Sequence, residues 1–454
     1  MGASPAVSAA LAAALAAGAA PLLPSEVLEV GEGKPFLRIE EAAAAARPGD
    51  LIRIHPLPGG RPYRRPALLV RTPRLTFQGV RGENGARPVL DGEGFVYSGA
   101  GPVPRAIFQF DPGADGCVLE GLELRQAHNH QSNGAGVRVN QANDLLVRDC
   151  EIHHNDMGVM SNGSVAARTA RNLRLESCRI HHNGSDLNPG YNHNLYLGGT
   201  SAILRGCEVF GSTTGHNVKS RAHYNRIEAC FVHDAANREF DLVDAPGNTD
   251  VEGSHAVLLG NVIVKAGPPV MKGNRAVLHF GQDGGGDHRG TIHLVHNTIV
   301  TPYLSPVVEL SAAGAEARLI NNLLWDAGAG RKGQVLVAAR AGAALEKAAG
   351  AGNWLIGGFG LPGGTFRAAE NVVVVSGGEA IFVDPARGDY RLRPDAARKL
   401  ARNVLLPARI PLPAAPGGEP PPTAAALPQY RAPLGMEPRP DAARPAAGAC
   451  GPAR

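Results

Sequence analysis

The sequence has few aromatic residues, little charge and no long apolar run. Aromatic residues make up 5% of the 454 residues, and charged residues make up 19%. The formal net charge is +4, which gives no reason to expect nucleic acid as a partner. Beyond an alanine-rich start, no strongly apolar run reaches the roughly 18 residues of a membrane-spanning helix. Hydrophobic residues nevertheless make up 44%, which excludes a wholly disordered chain.

Cysteine is also scarce, whereas turn-forming residues are abundant. Six cysteines are present, and no two of them have the C-x-x-C spacing that is typical of zinc sites. The 58 glycines and 36 prolines account for about a fifth of the chain, without the Gly-X-Y period of collagen. This composition indicates a fold with many tight turns and disfavours a helical bundle.

The first 24 residues resemble part of an export signal. Residues 6–20 are almost all alanine, and Ala17-Gly18-Ala19 offers the small residues of a cleavage site. The segment has no lysine or arginine, so one part of the signal pattern is missing. We expect a leader over residues 1–24 and a protein that is secreted or held in the cell envelope or periplasm. A disordered alanine-rich start is the alternative.

An internal repeat is the strongest signal in the sequence. Eight six-residue segments share the pattern apolar-x-x-(Leu/Cys/Asn)-x-apolar, at spacings of 23 to 36 residues. Such a repeat indicates a solenoid, and its β-branched and turn residues indicate that each coil is built from strands. Consecutive coils stack about 4.8 Å apart, so equivalent inward residues should form ladders. The fourth residues of the eight segments are Leu122, Cys150, Cys178, Cys207, Cys230, Asn261, Asn297 and Asn322.

This ladder predicts the state of the cysteines. Four of them occupy one inward apolar column, and Cys117 aligns with Leu145 and Leu173 of the next two coils. We therefore expect buried free thiols rather than disulfides. The three asparagines that continue the column are expected to hydrogen-bond from coil to coil.

The repeat resembles that of the right-handed parallel β-helix proteins, the pectate-lyase-like superfamily. Residues 36–54 look like the helix that covers the first coil in that family, followed by its first strand, and residues 381–397 resemble the segment after the last coil. The resemblance implies an all-β, single-stranded right-handed parallel β-helix with an N-terminal capping helix, over residues 25–395. It implies no single activity, because this fold hosts lyases, epimerases, hydrolases and non-catalytic proteins.

A second strand of each coil carries the polar candidates. Seven four-residue segments align, from VRVN (137–140) to VELS (308–311). Their first and third residues are mostly apolar and should point inward, so the second residue should point outward. Polar turns before two of these strands add His193, Asn194 and His216 to the same side. The outward residues are Arg138, Met160, Tyr196, Lys219, Asp241, His279 and Glu309.

Residues 215–225 are the densest run of functional groups and suggest chemistry on a uronic acid. Removal of the C5 proton needs a cation to neutralise the carboxylate, a base and an acid. We expect Lys219 to be the base, because Arg221 should depress its pKa, and Arg221 to clamp the carboxylate. Tyr196 or His216 is the candidate acid. The expected polysaccharide-binding residues are His193, Asn194, Asp241, His279 and Arg138.

Expulsion of the 4-oxygen would make the protein a polysaccharide lyase, and return of the proton would make it a C5-epimerase. Either no cofactor is required, or calcium is bound by Asp241 and Asp244. Glu239, which precedes Phe240, is expected to face outward near them.

Two other classes stay open. A polygalacturonase-type hydrolase needs several aspartates around the scissile bond. The sequence offers only the partial matches NTD (248–250) and GHN (215–217). A non-catalytic carbohydrate-binding or structural β-helix would expose aromatic residues, and Tyr196 is the one that is well placed. An exposed Lys–Asp pair is also an ordinary cross-strand salt bridge.

Residues 396–454 form a tail of different composition. From about Leu406 the chain is rich in proline, alanine and arginine, which cannot bury a core. We expect an extended or disordered tail that can pack along the β-helix. The expected partner is a uronate-containing polysaccharide, and the expected state is a monomer.

Overall fold

The structure is a computed structural model. It describes residues 26–453 except 162–169, 268–274, 304, 329–331, 361–365, 367–369, 375–376, 402–409, 417–419, 422–426 and 441–444. The leader predicted over residues 1–24 lies outside the described residues. Among the described helices, none is long and apolar enough to cross a membrane.

Three parallel sheets of 12, 12 and 10 strands form the described solenoid, and most coils contribute one strand to each. Sheet A consists of Val27–Val30, Leu51–Ile54, Thr76–Gly79, Val118–Glu120, Leu146–Arg148, Leu173–Glu176, Ser201–Arg205, Tyr224–Glu228, Ala256–Leu259, Gly290–Val295, Ala315–Ile320 and Ala348–Ala351. Sheet B consists of Tyr63–Arg64, Val89–Asp91, Glu123–Arg125, Glu151–His153, Arg179–His181, Glu208–Phe210, Phe231–His233, Val262–Val264, Thr298–Thr301, Leu323–Asp326, Trp354–Ile356 and Val372–Val374. Sheet C consists of Leu68–Val70, Ala106–Phe110, Ala135–Val139, Met157–Ser161, Leu195–Leu197, Val218–Ser220, Phe240–Val243, Leu278–Gly281, Val308–Ser311 and Val337–Ala339. The predicted all-β parallel β-helix is confirmed.

At the corner between sheets A and B, one residue in each coil of the ladder has a left-handed backbone conformation. This residue is the one just before the ladder position, as at Asp149 (φ 51°), Ser177 (φ 50°) and His296 (φ 52°). At Gly206 a side chain would also collide with the backbone of Gly435 from the tail. The repeated corner keeps the coils in register, so the inward side chains align.

The asparagine ladder forms as expected and extends beyond the predicted residues. The Nδ2 of Asn261 donates to Asn297 Oδ1 at 3.0 Å, and the Nδ2 of Asn297 donates to Asn322 Oδ1 at 3.0 Å. Asn353 and Asn371 continue the column at 2.9 Å per step. Each amide also bonds a main-chain group, so these buried polar groups are paired. All six cysteines are free and buried.

A short helix, α1 (Ile39–Ala45), covers the first coils as predicted. Ile39 and Ala42 are its buried residues, and they belong to the main core. The sheet begins earlier than expected, because the strand Val27–Val30 precedes α1 and pairs with Leu51–Ile54. The edge of the core is therefore closed by both a strand and a helix.

The described parts of the tail pack on the solenoid rather than extending into solvent. A second helix, α2 (Pro394–Leu400), follows the antiparallel pair Phe382–Asp384 and Asp389–Leu392. Ala446, Ala447 and Ala449 are buried in one apolar cluster with residues of sheet B. The hairpin Pro428–Tyr430 with Met436–Pro438 also belongs to the tail. The expected packing along the β-helix is confirmed for these residues, and the alternative of a disordered tail does not apply to them, since small alanines fit closely against a flat strand surface.

We predict that Asn297→Ala lowers the free energy of unfolding by about 3 kcal/mol, because it leaves buried partners such as Asn261 Nδ2 unpaired. Urea denaturation followed by circular dichroism measures this. Asn188 is exposed, and Asn188→Ala serves as the control with an expected change of at most about 0.5 kcal/mol. Equal effects of the two substitutions would show that the ladder does not stabilise the solenoid.

Candidate functional site

The outward residues of sheet C lie on consecutive coils in the predicted order. Tyr196 pairs in register with Lys219, Lys219 pairs with Asp241, and Asp241 pairs with His279. The column continues to Glu309 in one direction. In the other direction Met160 and Arg138 follow. The period of two therefore places these side chains on one face, as expected.

The buried carboxylate of Asp241 lies at the centre of this column. Its Oδ1 contacts Arg238 Nη1 at 2.8 Å and His279 Nδ1 at 2.8 Å. Its Oδ2 contacts Lys219 Nζ at 3.2 Å and His216 Nε2 at 3.4 Å. Asp241 is 1% exposed, so a carboxylate in this position requires such partners.

These partners keep Asp241 ionised. Burial alone would raise the pKa of the Asp241 carboxyl, but His216, His279 and Lys219 outweigh burial and hold the pKa well below its usual range. The carboxylate therefore fixes the position of the Lys219 ammonium.

The two histidines before the strands are neutral and stacked. The Nδ1 of His193 accepts the main-chain N–H of His216 at 3.0 Å, and the Nδ1 of His216 accepts that of Arg238 at 3.1 Å. The imidazole rings lie 5.0 Å apart. Burial lowers the pKa of His216 to about 3, although Asp241 acts in the opposite direction, and burial lowers that of His193 well below its usual range.

His216 is thus enclosed, with its Nε2 facing Asp241 and its Nδ1 occupied. This placement gives no support to the expectation that His216 is an acid acting on substrate. The geometry instead makes His216 a group that positions Asp241. His279 is likewise buried, with Nε2 2.5 Å from the hydroxyl of Ser311.

The solvent-facing part of the site consists of Tyr196, Lys219, Arg221 and Asp283. Asp283 comes from the loop 281–290, and its Oδ2 accepts hydrogen bonds from Lys219 Nζ at 2.6 Å and Arg221 Nη2 at 2.9 Å. The Nε of Arg221 donates to the Tyr196 hydroxyl at 3.1 Å. The Asp283 side chain is 40% exposed, so two cations hold one carboxylate at the surface beside a phenol.

The expected depression of the Lys219 pKa is wrong. Burial would lower the pKa of Lys219, but Asp241 and Asp283 outweigh it and raise the pKa above its ordinary value. Lys219 is therefore an ammonium group. Arg221 does lower the pKa of Lys219, as expected, but the two carboxylates outweigh this effect. Arg221 also donates to Asp283 and to the main-chain oxygen of Asp244.

Two residues expected on the outer face point into the core. Asn194 is fully buried and joins Asn183 and Asn217 in a second amide ladder. Glu239 ends this ladder, because the Nδ2 of Asn217 donates to it at 2.6 Å and Lys265 lies 3.8 Å away. Burial raises the pKa of Glu239, partly offset by Lys265. The residue just before each strand thus faces inward, and the predictions of Asn194 as a binding residue and Glu239 as outward-facing are wrong.

The two carboxylates considered for calcium have other partners. Asp244 accepts the main-chain N–H groups of Asp283 (2.5 Å) and Gly286 (3.0 Å), and it thereby shapes the loop 281–290. Asp241 is surrounded by the four donors described above. Within the described residues, no group of three or more His, Cys, Asp or Glu side chains is arranged to hold a metal ion. Calcium binding stays a prediction.

Sequence reasoning missed Arg238. Its guanidinium bridges Asp241 and Glu309, at 2.8 Å from each. Arg238 lies two residues before Phe240, just as His193 and His216 lie two residues before the first residues of their strands. Extending the strand alignment by two residues would have placed all three in one column.

Comparison with known proteins supports the fold. Residues 111–322 match the family model described as a right-handed β-helix region. No curated protein matches the chain.

Solved structures with related shapes include three carbohydrate-active proteins. Alginate lyase from Paenibacillus sp. str. FPU-7 is 13% identical and covers 77% of this chain and 98% of its own, with a TM-score of 0.45. Pectate lyase Pel9A is 14% identical and covers 95% and 97%, with a TM-score of 0.42. DFA-IIIase from Arthrobacter chlorophenolicus A6 is 13% identical and covers 77% and 99%, with a TM-score of 0.41. At these identities and TM-scores the likenesses assign no activity to this chain.

We predict that Asp241→Asn destabilises the protein by about 3 kcal/mol at pH 7, because it removes the buried carboxylate that Lys219 and Arg238 share and leaves each cation with one of its two carboxylate partners. The native pKa of Asp241 is depressed, so its stabilisation is fully present above the unfolded value of about 4 and is lost as the pH falls below that value. The difference between wild type and variant should therefore shrink in acid.

Urea denaturation at a series of pH values tests this. Asp186→Asn, at an exposed loop residue, is the control and should differ little from wild type at any pH. A difference between wild type and Asp241→Asn that is independent of pH would contradict the assigned ionisation.

Proposed function

We propose that this chain, a right-handed parallel β-helix protein, is a carbohydrate-active enzyme that removes the C5 proton of a uronate in a polysaccharide. The outcome is that of a polysaccharide lyase or a C5-epimerase. One observation carries this proposal: Lys219 and Arg221 together hold a surface carboxylate oxygen, that of Asp283, next to the hydroxyl of Tyr196.

The substrate carboxylate takes the place that Asp283 occupies between the two cations. Neutralisation of that carboxylate by Lys219 and Arg221 stabilises the negative charge that develops when the α-proton at C5 leaves. Asp241, which is buried and ionised, holds the Lys219 ammonium in position for this task. The raised pKa of Lys219 suits a permanent charge rather than a base.

Tyr196 is the proton-transfer group. Its oxygen accepts the Arg221 Nε–H, so the phenol lies beside the position of the substrate carboxylate. In the lyase outcome the Tyr196 phenolate takes the C5 proton, the C5–H electrons form the C4–C5 double bond, the C4–O bond breaks, and the Tyr196 phenol then gives its proton to the leaving oxygen. In the epimerase outcome the Tyr196 phenolate takes the C5 proton, a water molecule on the opposite face gives a proton to C5, and the Tyr196 phenol returns its proton to the solvent.

The carboxylates of the column favour this chemistry over hydrolysis. A glycoside hydrolase needs two carboxyl groups that flank the scissile bond. Asp241 and Glu309 are both under 10% exposed and bound to cations. Among the described residues of this column and its bordering loop 281–290, Asp283 is the accessible acid that contacts the two cations.

We predict that Tyr196→Phe lowers turnover by roughly 10²- to 10⁴-fold, the range for loss of a general acid–base group. Proton NMR in deuterated water with a panel of uronate polysaccharides, with and without calcium, measures it. Vinylic signals indicate a lyase, and deuterium at C5 without cleavage indicates an epimerase.

The matched control is Tyr191→Phe, since Tyr191 is a 77% exposed tyrosine on the loop before the same strand. Equal turnover by Tyr196→Phe and Tyr191→Phe would remove Tyr196 from the mechanism. New reducing ends without vinylic signals would indicate a hydrolase. Wild-type binding without any reaction would indicate a non-catalytic carbohydrate-binding protein.

We further predict that Asp283→Asn lowers the KM for a polyuronate by about two- to fivefold, because substrate then displaces no charged group. This size corresponds to the up to about 1 kcal/mol of a solvent-exposed ion pair. Steady-state kinetics measure the KM of Asp283→Asn and of the control Asp287→Asn. Asp287 lies on the same loop, and its carboxylate pairs with Arg289. A higher KM for Asp283→Asn than for Asp287→Asn would show that Asp283 itself binds substrate.

A further inference from the structure

Two guanidinium groups at the N-terminal side of the site have no carboxylate partner among the described residues. Arg138 lies on sheet C, three coils before Lys219, and its Nη1 contacts the sulfur of Met160 at 3.1 Å. Arg105 precedes the adjacent strand, and its Nη1 donates to the amide oxygens of Gln131 (2.6 Å) and Asn133 (3.3 Å). Both residues are partly exposed.

These two arginines differ from the other cations of the face. Lys219 and Arg221 contact Asp283, while Arg238 contacts Asp241 and Glu309. Arg340 contacts Glu309 as well. The cations in the C-terminal part of the column are thus neutralised by carboxylates of the protein, whereas the positive charges of Arg105 and Arg138 are not.

The carboxylate of Asp111 influences Arg138 electrostatically, but its hydrogen bonds go to other residues. Asp111 is 7% exposed and is held by Arg71 Nη2 at 3.2 Å, Gln109 Nε2 at 2.8 Å and Asn140 Nδ2 at 3.2 Å. Burial and the nearby Arg105 lower the pKa of Arg138, and Asp111 only partly offsets this. An external anion would relieve the repulsion between the two guanidiniums.

The surface between the two groups of cations is apolar. Met160 and Tyr196 occupy the intervening coils, and they pack against a small cluster of Ala106, Ala135 and Met157. Three coil steps of about 4.8 Å separate Arg138 from Lys219, which makes roughly 14 Å, the length of a few sugar rings. Such a surface suits the C–H faces of pyranose rings in an oligosaccharide whose carboxylates reach the cations at the two ends of the surface.

We infer that Arg138 and Arg105 form a second acid-group subsite, which binds another carboxylate of the polyuronate chain that reacts at Lys219 and Arg221. This inference rests on the proposed function. The subsite makes recognition depend on chain length, because a single uronate reaches one group of cations and a longer oligomer reaches both.

Isothermal titration calorimetry of the full chain tests this with oligouronates from the monomer to the hexamer, and with a neutral oligosaccharide of equal length. Wild type should bind long oligouronates tighter than the monomer. Arg138→Gln should weaken long-oligomer binding about tenfold, as expected for a charge-assisted hydrogen bond, and leave the monomer unchanged. Arg138→Lys should lose less affinity for long oligouronates than Arg138→Gln does, because lysine keeps the positive charge.

Arg148→Gln is the matched control, since Arg148 lies on sheet A and pairs with Glu120. Thermal melts establish that each variant is folded. If long oligouronates bind Arg138→Gln and Arg148→Gln equally well, the subsite is refuted while the proposed reaction stands. If Arg138→Gln weakens binding but wild type turns over no uronate, the reaction is refuted and the subsite stands. If no oligouronate binds wild type, both are refuted.

Discussion

Coil-to-coil pairing of buried amides is the constraint on which the rest of this structure depends. A parallel β-helix repeats its surroundings at each coil, so a polar group that faces inward must find its partner one coil away. Asn261, Asn297 and Asn322 satisfy this requirement at one corner, and Asn183, Asn194 and Asn217 satisfy it at another. With both corners fixed, the register of sheet C is fixed too. The outward side chains are then held at fixed separations along the face.

The same geometry explains how a carboxylate can be buried on an outward column. Asp241 is enclosed because side chains from the neighbouring coils, Lys219 and His279, and from the preceding turns, His216 and Arg238, converge on it. A carboxylate with these partners costs less to bury than one without. It organises the partly buried pair of Lys219 and Arg221 without itself meeting solvent. The positive charges that would act on substrate, those of Lys219 and Arg221, are therefore positioned by the carboxylate of Asp241, which would not contact substrate.

Periodicity predicted a solenoid built from strands, the ladder and the order of the outward column, and the resemblance to right-handed parallel β-helix proteins added the handedness and the capping helix. Periodicity also placed Tyr196, Lys219 and Asp241 together, because the period of two and the register of the strands determine which face each side chain occupies. The errors have two physical sources. Asn194 and Glu239 precede their strands by one residue, where the corner turns the side chain inward, and the alternation within the strand does not apply there. The pKa of Lys219 was misjudged because Asp241, on the next coil, outweighs Arg221, and because Asp283 adds to this effect from a loop 64 residues further along the chain. A repeat pattern does not predict where such a loop folds back.

The distribution of charge along the face distinguishes its two ends. Carboxylates of the chain itself neutralise the cations from Lys219 to Arg340, which keeps that end stable in the absence of any ligand. Arg105 and Arg138 are held instead by amide oxygens and a sulfur atom, which orient them without cancelling their charge. Fixed cations of this kind lose little entropy on binding, since their neighbours already restrict them. An extended polyanion laid along the coils would therefore gain most at the end where Arg105 and Arg138 form no ion pair with a described carboxylate, and this asymmetry would give the bound chain a preferred position along the helix axis.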